Sequence, residues 1–182
     1  YGKSKVLAEK YLDKNGDLPY LILRVPGVYG PRDFDFFEYF KMVSRGIIPF
    51  VGSKEYKTSL IYVEDLVNGM VSGMENNLTG KYYISDGKYY SQKKIGQTAA
   101  KILNKNPIYV KIPFHIASAI AHLNEKFNKN NIVNRQKLNE VVAGDWICSN
   151  RKILKDLDWV PEIFLEEGFL KTLRWYKKNG YM

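Results

Sequence analysis

Apolar positions along this chain recur alternately at helical and at strand spacing, which argues for α/β architecture. Residues 1–12 read as a helix closed by the turn Asn15-Gly16-Asp17. Residues 20–25 form a short apolar run, a buried strand that Pro26-Gly27 ends. Residues 34–45 are expected to be helical up to Gly46, and residues 59–63 to form a short strand. The next helix carries Leu66, Val67, Met70, Val71 and Met74 on one face, the spacing of an amphipathic element. Residues 81–85 are strand-like and end at Asp86-Gly87. Ile95, Ala99, Ile102 and Leu103 mark another helix, and Ile108, Val110 and Ile112 alternate with Tyr109 and Lys111 as in a half-exposed strand. Ile116, Ala119, Ile120, Leu123 and Phe127 return to helical spacing, and the polar tract Asn128-Lys129-Asn130-Asn131 is expected to be a loop. Two closing helices, over 150–157 and 165–178, flank Trp159-Val160-Pro161. No internal repeat or low-complexity tract interrupts the series, so residues 1–182 are expected to form a single unit.

Composition leaves this picture intact and removes several function classes. The 182 residues are 45% hydrophobic and 26% charged, an ordinary globular balance. No apolar run has the roughly 20 residues needed to span a bilayer, so no membrane role is expected. A lone Cys148 makes neither an internal disulfide nor, by itself, a zinc site, and a cytoplasmic location is the expectation. Asn77-Leu78-Thr79 matches a glycosylation acceptor but carries no weight without a secretion signal. The net charge of +9 is spread from Lys3 to Lys178, its densest runs being Lys93-Lys94 and Lys177-Lys178. Nucleic-acid binders concentrate such charge on one face, so no nucleic-acid partner is expected.

The candidate chemistry begins at Tyr1 and Lys5, a Tyr-x-x-x-Lys pair. On a helix, positions i and i+4 share a face, so the ammonium can approach the phenol. A free phenol titrates near pH ~10, and a neighbouring cation stabilises phenolate and brings proton transfer closer to neutrality. The bland alternative is a surface tyrosine beside a snorkelling lysine. Elsewhere, Asp65 reads as helix N-terminal charge or cap, Arg24 as one half of an ion pair in a buried strand, and Trp159, Trp175 and Tyr176 as packing residues.

Five segments in order carry a resemblance. Residues 1–9, 23–31, 59–66, 82–87 and 150–161, the last followed by 165–169 and Trp175-Tyr176, are similar to the catalytic helix, nicotinamide-facing turn, Ile-His-Val-x-Asp-Leu segment, following strand and C-terminal ending of extended short-chain dehydrogenases/reductases, the NAD-dependent epimerase/dehydratase family. The resemblance implies the C-terminal portion of a Rossmann-type fold with a small, helix-rich substrate lobe. It implies Tyr1 as catalytic acid/base and Lys5 as its partner and ribose ligand. It also implies that backbone at Pro26, Gly27 and Val28 lies against the nicotinamide of NAD or NADP, with a small molecule as substrate. Family members often dimerise through the catalytic helix, which makes a homodimer an expectation.

The departures narrow the reading. Sugar-nucleotide epimerases commonly carry Asn where Gly27 stands and Arg near Thr58, where this chain offers only Lys57. Tyr62 replaces the usual His. The stretch 113–127 looks more like the branch containing dihydroflavonol reductases and 3β-hydroxysteroid dehydrogenases. The Gly-rich loop and catalytic Ser/Thr of the family both precede its Tyr, so this chain is expected to lack the dinucleotide-binding part and to be inactive alone. Three functions therefore stay open: a carbonyl/alcohol oxidoreductase, a nucleotide-sugar epimerase or dehydratase, and a binding module without chemistry.

Overall fold

The computed structural model describes residues 2–15, 19–52, 54–127, 138–139 and 143–182. Tyr1, Gly16, Asp17 and the tract 128–131 lie outside the described residues. In chain order the elements are α1 (Gly2–Lys14), β1 (Leu21–Arg24), β2 (Gly27–Tyr29), α2 (Phe34–Ser44), β3 (Ile47–Val51), β4 (Lys57–Tyr62) and α3 (Val63–Glu75). They continue with β5 (Gly80–Tyr83), β6 (Tyr89–Ser91), α4 (Gln92–Leu103), β7 (Ile108–Ile112), α5 (Phe114–Phe127), α6 (Arg151–Asp156) and α7 (Leu165–Lys178).

The strands form three small sheets, and all but one pairing is parallel, as the α/β expectation requires. β1 pairs in parallel with β5, β2 with β4, and β3 with β7, while β6 runs antiparallel to β4. The residues around Trp146 extend the β2 edge of β4, with Trp146 bridging Thr58 in parallel. The strands expected at 20–25 and 59–63 are found as β1 (Leu21–Arg24) and β4 (Lys57–Tyr62), with Val63 already in α3. β2, β3 and β6 lie outside the strands expected from the pattern: Pro26-Gly27 looks like an ending, yet Gly27 opens β2, and β3 contains Pro49, which is tolerated because β7 is its single partner among the described residues.

Among the described residues two main cores hold these layers, with a small third cluster of Ala117, Ala121 and Leu138 against β3 and β7. The larger one is aromatic, with Tyr29, Phe37, Phe40, Tyr62, Phe169 and Tyr176 buried together. Phe169 of α7 is its hub, meeting Phe40 edge-on at 4.9 Å and Tyr29 at 5.4 Å. The smaller core lies under α3 and gathers Ile61, Tyr82, Ile84, Ile153, Leu157 and Trp159. α2 starts at an Asp33 cap whose carboxylate accepts from the amides of Asp35 and Phe36, and α4 at a Ser91 cap that accepts from Lys94. Trp159, Trp175 and Tyr176 pack in these cores, as read from sequence.

α3 departs from the expectation. Its buried side is Asp65, Gly69 and Gly73, with Leu66 packed partly alongside. Gly69 is there because a Cβ would meet Ile84 at 2.6 Å and Trp159 at 3.1 Å. Val67, Met70, Val71 and Met74 lie on the opposite side and are 41–65% exposed. The helix approaches its sheet through glycines, so the apolar stripe that looked like a core face is a second face. Asp65 also does not cap α3. It is buried and accepts a 2.8 Å hydrogen bond from the amide of Ile163, tying α3 to the segment before α7.

Candidate active site

The strand β1 fixes the geometry around which the candidate residues collect. Side chains alternate across it, so Tyr20, Ile22 and Arg24 face one side, and Leu21 and Leu23 the other. The registers Ile22↔Lys81 and Arg24↔Tyr83 place Lys81 and Tyr83 of β5 on the Arg24 side. That side is covered by α1, almost wholly through charge. Arg24 grips Glu9 with two bonds, Nε to Oε1 at 3.0 Å and Nη2 to Oε2 at 2.6 Å. Lys81 pairs with Asp13 at 2.6 Å and lies 3.7 Å from Glu9, and the Tyr20 hydroxyl donates to Asp13 at 2.6 Å. Arg24 also donates to the Tyr83 hydroxyl at 3.1 Å. The ion-pair role read for Arg24 holds, but the side chain is 40% exposed rather than buried. No residue of α1 is buried.

These contacts orient α1. Asp13 sits at the start of β1 and Glu9 at its end, so α1 runs antiparallel to β1. One further turn towards its N-terminus, on the face of Glu9 and Asp13, is Lys5. α1 therefore carries Lys5 beyond the carboxyl end of β1, towards the turn that contains Pro26, Gly27 and Val28. Tyr1, four residues before Lys5, lies outside the described residues.

The turn itself presents backbone. Gly27 and Val28 are exposed and Pro26 is partly so, at the junction of two strands of parallel pairs. Carboxyl ends of parallel strands are where α/β folds bind ligands. Gly27 sits in close approach to Leu60, where a Cβ would lie 2.8 Å from the terminal methyl Cδ2 and that methyl would have to turn aside.

Along the same edge of β4, just before β2, comes the segment of Trp146. Its amide donates to Lys57 O and its carbonyl accepts from Ser59 N, both at 2.8 Å. Trp146 and Ile147 are more than half exposed, as is Tyr89 of the neighbouring β6. Lys57 holds its ammonium 5.1 Å from the centre of the Tyr89 ring, while its own amide donates to Asp145. Sequence reasoning missed Glu9, Tyr89, Trp146 and Ile147. Glu9 was legible as the next helical turn after Lys5, whereas Trp146 reaches the site only by a bridge between distant residues.

Titration in and beside the site follows from these contacts. The Arg24 hydrogen bond holds the Glu9 carboxyl below its ordinary value, and Lys81 does the same for Asp13. Burial raises Asp86, against the hydrogen bond from Tyr90. Tyr62 is pushed up to about 12 by burial, so it stays protonated through the physiological range. Among the described residues no group of three His, Cys, Asp or Glu could hold a metal, and no helix is long and apolar enough to cross a membrane.

No family model matches the chain. Two curated proteins are similar over nearly all of it: an uncharacterised protein of Sinorhizobium fredii, 25% identical over 99% of this chain and 54% of its own length, and a ceramide reductase of Caulobacter vibrioides, 25% identical over 100% of this chain and 58% of its own. This chain thus spans little more than half the length of the curated relatives it matches. Among solved structures, UDP-glucose 4-epimerase of Thermotoga maritima with UDP-glucose superposes with TM-score 0.72 at 23% identity, over 98% of this chain and 53% of that one. The UDP-glucuronic acid 4-epimerase of Bacillus cereus, with UDP-glucuronic acid and NAD, does so with TM-score 0.69 at 20% identity, over 96% and 50%. The α/β fold class expected from the resemblance is therefore the one observed, a Rossmann-like arrangement shared with about half of each of these two chains.

Proposed function

We propose that this chain is the substrate-side portion of an NAD(P)-dependent oxidoreductase that interconverts a carbonyl and an alcohol. The carrying observation is the antiparallel seating of α1 on β1, which takes Lys5 towards the exposed backbone of Pro26, Gly27 and Val28. Two sequence segments implicated separately in one reaction are thereby aimed at one place. The residues fit the nicotinamide-ribose end of a dinucleotide: a cation on a helix, and a side-chain-poor turn at a strand's carboxyl end. Nothing among the described residues offers a Gly-rich strand-to-helix turn for the pyrophosphate. In this reading the 182 residues alone hold the cofactor poorly and are inactive.

The cofactor, when bound, supplies hydride to the carbonyl carbon or accepts it from the carbinol. The phenol of Tyr1 gives a proton to the substrate oxygen during reduction and takes it back during oxidation. In this reading the Lys5 ammonium stabilises the phenolate left behind. Val25, Val28, Trp146 and Ile147 leave exposed apolar surface at or beside the turn, which favours a substrate with a substantial apolar part. The ceramide reductase relative supports that choice, and Lys57 supplies one cation where a diphosphate would be better held by a bidentate arginine.

The test is a nicotinamide-linked reduction assay on the whole encoded polypeptide, with ketones bearing long alkyl or ring substituents. Tyr1→Phe is expected to lower kcat by roughly 10²–10⁴-fold with cofactor affinity retained. Lys5→Met is expected to weaken both. An unchanged kcat in Tyr1→Phe would remove the acid/base assignment, and preferential turnover of nucleotide sugars would favour the epimerase reading.

A further inference from the structure

An open groove of about 370 Å³ lies between α4 and the sheet of β3 and β7, and it shares no lining residue with the candidate active site. Small residues on α4 create it. At Gly96 the helix touches the sheet, since a Cβ there would meet Ile48 at 2.9 Å and the Tyr39 hydroxyl at 3.1 Å. Ala100 stands one turn later on the same face, and its single methyl leaves the space above Ile48 open. The register pair Ile48↔Tyr109 puts both side chains on the α4 side of the sheet. Ile48 is the buried floor, and Tyr109, 43% exposed, is a wall. Pro107 closes the end where the chain passes from α4 into β7.

The rim is polar and of one sign. Gln97 and Lys101 come from α4, and Lys105 and Asn106 from the connection to β7. Among the described residues no acidic side chain lines the groove. The last carbonyls of a helix carry partial negative charge and would by themselves repel an anion. Here the carbonyls of Ala100 and Lys101 accept from the amides of Lys105 and Asn104, which leaves the two ammonium groups to set the sign. Lys101 also meets Glu166 of α7 at 2.5 Å, with the two side chains 70% and 61% exposed. An exposed pair of this kind contributes little and competes weakly with a second anion.

We infer that this groove binds a small aromatic carboxylate, its ring between Ala100 and Tyr109 over Ile48 and its acid group at Lys101 and Lys105. A flat apolar body fits a slot with an aliphatic floor and a tyrosine wall, and gains ring contact with Tyr109. The volume is at the lower end for small-molecule sites, room for a bicyclic ring and not for a nucleotide. A single negative charge suits the rim, because two separate lysines offer point charges and no bidentate fork for a phosphate dianion. The site draws on nothing in the proposed reaction and stands or falls apart from it.

Isoleucine-methyl NMR of the whole encoded polypeptide, titrated with naphthalene-2-carboxylate, reads the groove at its floor, with the Ile48 resonance assigned through Ile48→Val. The Ile48 methyl is expected to shift saturably with a Kd below about 1 mM, while those of Ile61 and Ile84, in the other main core, stay in place. Naphthalene-2-carboxamide, the uncharged counterpart, is expected to bind roughly fivefold more weakly or worse. Lys105→Gln, at an exposed position, is expected to weaken the carboxylate roughly two- to fivefold and to leave the carboxamide and thermal unfolding unchanged. The contrast between the two ligands separates lost charge from a disturbed fold. An Ile48 methyl that does not respond to millimolar carboxylate would overturn the inference. Equal affinity for acid and amide would do the same, as would carboxylate binding left intact when Lys101→Gln and Lys105→Gln are combined.

Discussion

Single side chains in the aromatic core make opposite demands on their polar atoms. The Tyr29 hydroxyl is buried with no hydrogen-bond partner, whereas that of Tyr90 donates to Asp86 at 2.6 Å. Tyr29→Phe is therefore expected to be neutral or stabilising by up to about 1 kcal/mol. Tyr90→Phe leaves a buried carboxylate short of a donor and is expected to cost about 1–3 kcal/mol, both by denaturant unfolding. Gly168 sets a steric limit in the same core, since a Cβ there would run into the Tyr29 ring. Gly168→Ala is expected to destabilise by about 1–3 kcal/mol through overpacking. None of this was legible from sequence. Tyr29 and Gly168 are 139 positions apart, and only the tertiary fold makes the glycine necessary.

At the level of elements, α1 is held by ions and α3 by glycines. The contrast yields a prediction on pH and salt. Glu9 and Asp13 have folded-state values below their ordinary ones. Their contribution is therefore fully present above the ordinary carboxylate range, and is lost as pH falls through the lowered values. Asp86 acts in the opposite sense, because its raised value favours the protonated folded form as pH falls. Amide exchange in α1 should thus accelerate selectively below about pH 4, and also at about 1 M salt, where exposed ion pairs are screened. Exchange under α3 should change little with salt. A uniform response of both helices would contradict this account. Periodicity predicted both helices, but it could not tell which face of α3 is buried. Apolar spacing marks a face that avoids water without saying which neighbour excludes it. β2 was hidden for a related reason: Pro26-Gly27 reads as an ending, and its continuation is apparent only from the pairing of Gly27 with Leu60.

Across the whole molecule, sequence and structure agree on an α/β unit, and the proposed site lies at the carboxyl end of β1. The resemblance in five ordered segments was enough to name the fold. What it could not supply was the physical link between the first two segments, the Glu9–Arg24 clamp, because a salt bridge across 15 positions has no periodic signature. That clamp makes Arg24 a positioning residue in the proposed reaction. Arg24→Lys keeps the charge but loses the fork, and is expected to lower kcat several-fold and make it salt-sensitive, with substrate KM little changed. Salt-independent loss would point to a folding defect instead.

The central claim is that Lys5 and the turn 25–28 share one nicotinamide site. The most direct measurement is amide exchange across Val25, Gly27 and Val28 and the first turn of α1, in the whole encoded polypeptide, with and without saturating NADH or NADPH. The account predicts joint protection of both segments by one of the two cofactors, abolished together when Lys5→Met weakens binding. Protection of neither segment by either cofactor, although the protein binds it, would contradict the account and leave this surface without the proposed role.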